Sequence, residues 1–480
     1  MRAKVPWVQN GFVVGQFIFL ILFQLCLGQS EDTENVYFTT GLKIGEIRQH
    51  SAVILTRLCH GEKPNPIVHE QGSRPFRHPI DFDDNMPISK MDGAVDGAFG
   101  QVKMELYSPT DTISTGWNYV SSYKDYTIKQ VFQRLDAYTV YQVVLSGRRG
   151  PGAPITKMKG RFRTAPDSQN AIPVVFTSST CQYFWSHDHP VRGFKIYDRM
   201  GELDPDFHCQ TGDYVYYDKP GPLATTVALA RHKWHAINAW PSLVDFYAQT
   251  PLFIQKDDHD ITKDDATPFS KPYGEISFQD GIAIWNEQTP TYKNRPYRSL
   301  RYGRDLEIWF VEGRLFRNTN NEKRDDSSIW GLEQKQWFVQ SVRASDATFK
   351  ILMSPTPVVG PDRDTKKDNH ANSTYEREGK WLLDFIASQK NMFIMNGDRH
   401  WQYVSKDTRT GVLEFGQGPS SDEHAQGWNQ EDVRPEHEFL RVKGGFLAVK
   451  VHREKGIPKI AFMHYDVNGN IVNTKKLTSE

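Results

Sequence analysis

Four apolar runs of strand length in this chain each lead, within a few residues, to side chains able to bind metal. "IPVVFTS" leads to Cys181, and "DFHCQ" leads to Asp213 and Tyr216 in "GDYVYY". "PLFIQ" leads to "KDDHD", which spans Lys256 to Asp260, and "NMFIM" leads to "NGDRHW" with Asp398 and His400. Each stretch alone has an ordinary explanation. A Gly-Asp step is common turn chemistry, because Gly takes positive φ and Asp bonds its own backbone. A lone Cys is usually a small buried hydrophobe, and an acidic run is usually a solvated loop. Four such endings together point to a polynuclear metal centre. Tyr216 follows Asp213 by three residues, so one tight turn can aim both oxygens at one centre while Tyr214 and Tyr217 face elsewhere. Asp398 and His400, two apart, can reach one metal or two adjacent ones. Calcium and magnesium favour oxygen ligands alone. A thiolate with a phenolate suits a ferric ion or another transition metal. Zinc stays open, although no Cys-x-x-Cys pair of the structural-zinc kind is present.

Those endings need strands to carry them, and the second part of the chain supplies them. After about residue 170, helix-like stretches alternate with apolar runs. "FKIYDRMGEL" precedes "DFHCQ", "WPSLVDFYAQT" precedes "PLFIQ", "GLEQKQWFVQSVRAS" precedes "FKILMS", and "KWLLDFIASQ" precedes "NMFIM". This α/β alternation predicts a buried sheet flanked by helices, with ligands collected beyond the strands' carboxyl ends. From 36 to 166 the pattern is different. "SAVILTRL" and "YTVYQVVLSGR" read as half-buried strands, and "GAVDGAFG" and "GRRGPGAP" as turns. That segment predicts a small β-sandwich of immunoglobulin or fibronectin type, with "TAPDSQN" as the link to a second unit over 170–480.

The composition limits the partners. The 480 residues carry a formal net charge of +0, so no nucleic-acid or anionic-membrane surface is evident and recognition of a charged substrate must be local. At 12% aromatic and 24% charged, the chain is globular rather than disordered. Residues 1–28 place Arg2 and Lys4 before an apolar run that ends at Gly28, the order of a secretory signal peptide; an uncleaved anchor is the alternative. Export, whether to the medium, a periplasm or the cell surface, would leave Cys59, Cys181 and Cys209, an odd number for an oxidising compartment.

As a set, "VVFTSSTCQYF", "DPDFHCQTGDYVYYD", "KDDHD", "GLEQKQWF" and "NGDRHW", with "SAVILTRL" and "GRFRTAP" before them, resemble the PhoD-like alkaline phosphatases of the metallophosphoesterase superfamily. The resemblance implies a four-layer α/β/β/α phosphoesterase domain holding Fe3+ and Ca2+, with zinc or another divalent ion as an alternative. It implies Cys181, Asp213, Tyr216, Asp258, Asp398 and His400 as metal ligands, with Asp213 bridging. His259 would be the phosphate-contacting histidine, and Arg192, Lys256 and Arg314 neighbouring anion contacts. Lys256 stands where the family usually has an aromatic residue, and His187, His189 and His370 are further departures that could alter substrate choice. Residues 84–117 look like an insertion.

The implied reaction is hydrolysis of a small phosphate mono- or diester by a metal-activated hydroxide, with His259 donating a hydrogen bond or a proton. A lipid- or sugar-phosphate hydrolase on the same site is a second reading. A non-catalytic surface binding protein with a structural metal centre is a third.

Overall fold

The computed structural model describes residues 34–73, 77–292 and 296–480. The expected signal segment, 1–28, lies outside the described residues. Among the described residues no helix is long and apolar enough to cross a membrane.

Two large sheets face each other. The first has nine strands in the order Ile471–Thr478, Ile457–Tyr465, Phe446–Glu454, Val174–Ser179, Phe207–Thr211, Leu252–Gln255, Leu42–Gly45, Ser51–Arg57 and Thr127–Gln133. The second has seven, in the order Arg298–Tyr302, Leu306–Phe310, Phe349–Ser354, Met392–Asn396, Leu413–Gln417, Gln402–Lys406 and His437–Arg441. The strands that carry the site run parallel within each sheet: 174–179, 207–211 and 252–255 in the first, and 306–310, 349–354, 392–396 and 413–417 in the second.

Period-two alternation sorts the side chains into layers. Phe253 faces the space between the sheets, while Leu252 and Ile254 face the helices Lys195–Gly201, Val227–Asn238, Pro241–Gln249 and Phe278–Gln288. Ile351 and Met353 also face inward, while Leu352 and Ile394 meet the helices Gly331–Ala344 and Glu376–Ala387 on the opposite outer face. Stacked rings bridge the two sheets, with Phe253 5.2 Å from Phe310 and Phe415 3.8 Å from Phe462.

Segment 36–166, expected as a small β-sandwich, divides its strands between two sheets. Three of its strands extend the nine-stranded sheet, joined where Gly45 pairs in parallel with Leu252. The other five (Gly100–Tyr107, Thr112–Ser114, Asn118–Val120, Val140–Arg148 and Thr156–Arg163) form a separate sheet, and both groups line one core. The physical reason is an edge: Leu42, Ile44 and Ile54 are fully buried, and continuing the larger sheet satisfies a strand edge that would otherwise need its own cover. Cys59, Cys181 and Cys209 are all free and buried.

Candidate metal centre

The strand ends turn sharply into the site. Cys181, Asp213 and Asp398 have φ of 52°, 54° and 66°. That is the left-handed region, which side-chain-bearing residues occupy sparingly and which clusters at functional sites. The glycine before each Asp has a reason of its own. At Gly212 (φ 106°) an added Cβ would stand 2.6 Å from the Cβ of Asp257, and at Gly397 it would stand 2.5 Å from the carbonyl oxygen of Thr211. Gly-Asp therefore occurs twice because loops from different strands pass at backbone contact. Asp260 fixes the first of these approaches. Its carboxylate accepts the N–H groups of Asp213 (2.9 Å), Val215 (2.9 Å) and Asp257 (3.0 Å).

Side chains from four strand ends converge. Cys181 Sγ lies 3.4 Å from Asp213 Oδ2, and the Tyr216 hydroxyl donates to the same oxygen at 3.2 Å. Tyr216 Oη also lies 3.4 Å from His400 Nε2. Cys181, Asp213 and His400 can each offer one ligand atom within 4.8 Å of the others, and so can Asp213, Asp258 and His259. Asp213 is common to these two groups, and Asp258 recurs in a third with Asp264 and Asp265 at the rim. Asp398 joins none of them; its Oδ2 lies 2.6 Å from Arg399 Nη2.

The electrostatics call for cations. Burial pushes the Asp213 carboxyl well above the carboxylate range; His259 opposes this, while Asp258, Asp260 and Asp398 add to it. Burial likewise pushes Asp398 up to about 7, and raises the Cys181 thiol and the Tyr216 phenol. Asp213 Oδ1 and Asp258 Oδ1 are buried without a hydrogen-bond partner. Buried acids that repel one another, with lone pairs unused, are a donor set that multivalent cations draw into the ionised form. Imidazole, thiolate, phenolate and carboxylates fit a transition metal beside a harder ion.

His259 is oriented from outside this cluster. Its Nδ1 lies 2.6 Å from Asp218 Oδ1, and its ring packs 4.4 Å from that of Tyr216. Burial works against its charged form, but Asp218, Asp258 and Asp213 outweigh that and hold the imidazolium well above its ordinary pKa.

The three expected anion contacts are engaged elsewhere. Arg192 pairs with Asp198 and Asp245, at 2.8 Å for the latter, and no site residue is among those partners. Lys256 is buried against Glu312, 4.5 Å from the Trp285 ring centre. Arg314 is fully buried behind the site, bonded to Asp257 and 3.3 Å from both Asp258 and Asp368. The additional histidines belong to the scaffold. His187 lies against Trp240 and the Phe184 carbonyl, His189 Nδ1 accepts the Val191 and Arg192 N–H groups, and His370 Nε2 meets Glu378 at 3.0 Å.

Several site residues were not singled out by the sequence reading. Asp218 and Asp260 stood inside the quoted stretches without a role of their own. Lys366, with Nζ 2.8 Å from Asp265 and 3.3 Å from Asp264, is the cation at the acidic rim. His424 is the fourth. It follows the strand Leu413–Gln417, a fifth strand ending of the kind that located the others.

A family model described as PhoD-like phosphatase matches residues 176–443, more than half of the chain. No curated protein matches it in sequence. Among solved structures, one described as the structure of PhoD superposes with a TM-score of 0.68 at 16% identity, covering 92% of this chain and 89% of that one. The purple acid phosphatase PPD1 from yellow lupin (Lupinus luteus) seeds superposes at 0.62 with 10% identity, covering 91% of this chain and 74% of that one. At those identities the likeness is one of fold.

Proposed function

This chain belongs to the PhoD-like phosphatase family, and on that premise we propose that it is an exported, metal-dependent hydrolase of phosphate mono- or diesters, with Fe3+ and Ca2+ held around Asp213. The observation that carries the reading is the position of Asp213, common to a Cys181–His400 group and an Asp258–His259 group. Cys181, Tyr216 and His400 on one side offer the donors suited to a softer or more acidic metal, and Asp258 on the other offers oxygen. Bound there, the cations would offset phosphate charge and acidify water at neutral pH.

The chain's own residues do the rest. Asp260 fixes the backbone that carries Asp213 to the loop that carries Asp258. Asp218 orients His259 through Nδ1 and keeps it charged, leaving Nε2 to donate to a phosphoryl oxygen or to give a proton to the departing alkoxide. Buried walls of Tyr183, Trp185 and Tyr216 keep the centre dry, which strengthens each of these interactions. The nearness of Cys181, Asp213, Asp258, His259 and His400, with Arg314 beside Asp258, favours an enzyme over a binding protein with a structural metal. Metal analysis of the purified protein together with hydrolysis of a panel of aryl phosphate mono- and diesters tests the reading. Export is tested by the mature N-terminus: mass spectrometry should find it near Gln29, and an intact Met1 on a membrane-embedded product would reject it.

A further inference from the structure

His424 lies on the short turn Asp422–His424 and is 2% exposed. Its ring centre is 4.3 Å from that of His400 at 78°, 5.2 Å from Tyr216 and 6.2 Å from Tyr183. Neither Nδ1 nor Nε2 has a hydrogen-bond partner, and among the described residues His424 is the one histidine of which both nitrogens are buried in this state. Three other buried histidines are engaged, His208 by Thr177 and Ser179, His235 by Asp125 and His464 by the Gly416 carbonyl, while His232 leaves Nδ1 alone unpartnered. A neutral imidazole always presents one N–H and one lone pair, and burying both without partners is unfavourable.

The turn is nevertheless tightly held, so the ring is not loose. The Ser420 N–H donates to the Cys181 carbonyl (3.2 Å) and the Ser420 hydroxyl to the Thr180 carbonyl (3.0 Å). The Ser421 hydroxyl donates to the Ser186 carbonyl (2.6 Å), and Asp422 Oδ1 accepts the Gly444 N–H (2.9 Å). From segment 36–166, Arg77 Nη2 reaches Glu423 at 2.7 Å. These contacts fix the main chain and leave the imidazole packed against His400 and Tyr216 at the centre, with both nitrogens unpartnered. It joins none of the groups of possible ligands.

We propose that His424 hydrogen-bonds a phosphoryl oxygen of the substrate, as a second substrate-contacting imidazole beside His259, and that the Arg77–Glu423 pair positions it. This rests on the phosphoesterase reading. It also gives segment 36–166 a part in catalysis, because Arg77 of that segment reaches the turn that carries the residue.

The test uses the full chain in its metal-loaded form, with inorganic phosphate as the probe. His424→Ala should keep its metal content, weaken inhibition by phosphate by about tenfold, the worth of one hydrogen bond to a charged group, and lower kcat/KM by a similar factor. His424→Gln, whose amide supplies a donor and an acceptor without large loss of volume, should recover part of both and guards against misfolding of the alanine variant. Arg77→Gln should move phosphate inhibition in the same direction by less. Unchanged phosphate inhibition in both His424 variants would overturn the proposal, and so would loss of metal in step with activity, which would make His424 a ligand. A wild-type protein that binds phosphate, with His424→Ala binding it more weakly, but hydrolyses no ester would overturn the enzymatic reading and leave this contact standing.

Discussion

His259 Nδ1 lies 2.6 Å from Asp218 Oδ1, and that pair decides what His259 can do. With Nδ1 committed to a carboxylate the imidazole is held charged, and Nε2, 3.7 Å from Asp264 Oδ1, is the nitrogen proposed to meet the substrate. His259→Ala should lower turnover by ~10²–10⁴, the usual worth of a positioned acid, with metal content near normal. Asp218→Asn removes the largest influence that raises the His259 pKa. An acid works only while protonated, so activity of this variant should begin to fall at lower pH than in the wild type. Complete loss of metal from His259→Ala would place the residue on the metal instead.

The donors on the Cys181 side predict colour. A phenol in water titrates at about 10, so binding as phenolate at neutral pH needs a strongly acidic cation. Ferric iron meets that need, and phenolate and thiolate bound to it absorb visible light. Tyr216→Phe should bleach or shift the band. Tyr217→Phe should not, because Tyr217 Oη accepts the Trp234 Nε1–H (2.8 Å) on the helix side, away from Asp213. A colourless, active protein containing only zinc would reject iron and leave the phosphoesterase reading in place.

His370 should matter for stability and not for substrate choice. Its partner Glu378 also accepts the N–H groups of Ile329 and Trp330 at 3.0 Å and lies 3.1 Å from Lys335. Burial raises the Glu378 pKa, but His370, Ser328 and Lys335 outweigh it and hold the group at about 2, against an ordinary 4.5. A depressed acid contributes stability that is present above its unfolded pKa and lost as pH falls through the folded one. That difference corresponds to about 3 kcal/mol. Glu378→Gln should therefore be destabilised by about that much at pH 7, with the gap to wild type closing between pH 4.5 and about 2. Denaturation at several pH values reads this directly.

Arg192→Ala should leave kcat/KM for aryl phosphates within about twofold of wild type, because its guanidinium serves partly exposed pairs with Asp198 and Asp245. Such pairs are worth about 0–1 kcal/mol to the fold and nothing to the chemistry. A loss well beyond twofold would return Arg192 to the site.

Much of the site was legible because its chemistry sits at strand ends. Apolar runs such as "PLFIQ" are hard to hide, and the residue just past each one is where an α/β fold puts ligands. His424 escaped because its strand, "LEFGQ", carries a buried Glu414 and ends seven residues before the histidine. The helices Val227–Asn238 and Phe278–Gln288 were not read for a related reason. The first buries His232, Lys233, His235 and Asn238, so polar residues occupy the face whose periodicity marks a helix. The joining of segment 36–166 to the larger sheet was hidden for another cause. Strand pattern shows which residues pair, but not that Gly45 would pair with Leu252, two hundred residues away. Arg192, Lys256 and Arg314 came from the resemblance, which does not reveal the acid that pairs with each cation.

If Asp213 is shared by two metals that hydrolyse phosphoesters, metal content measured beside turnover in Asp213→Asn reads that sharing. Wild type should bind metal and hydrolyse model phosphoesters, and the variant should lose hydrolysis together with metal from both sides of the centre. Retention of full metal content and activity by Asp213→Asn would contradict it.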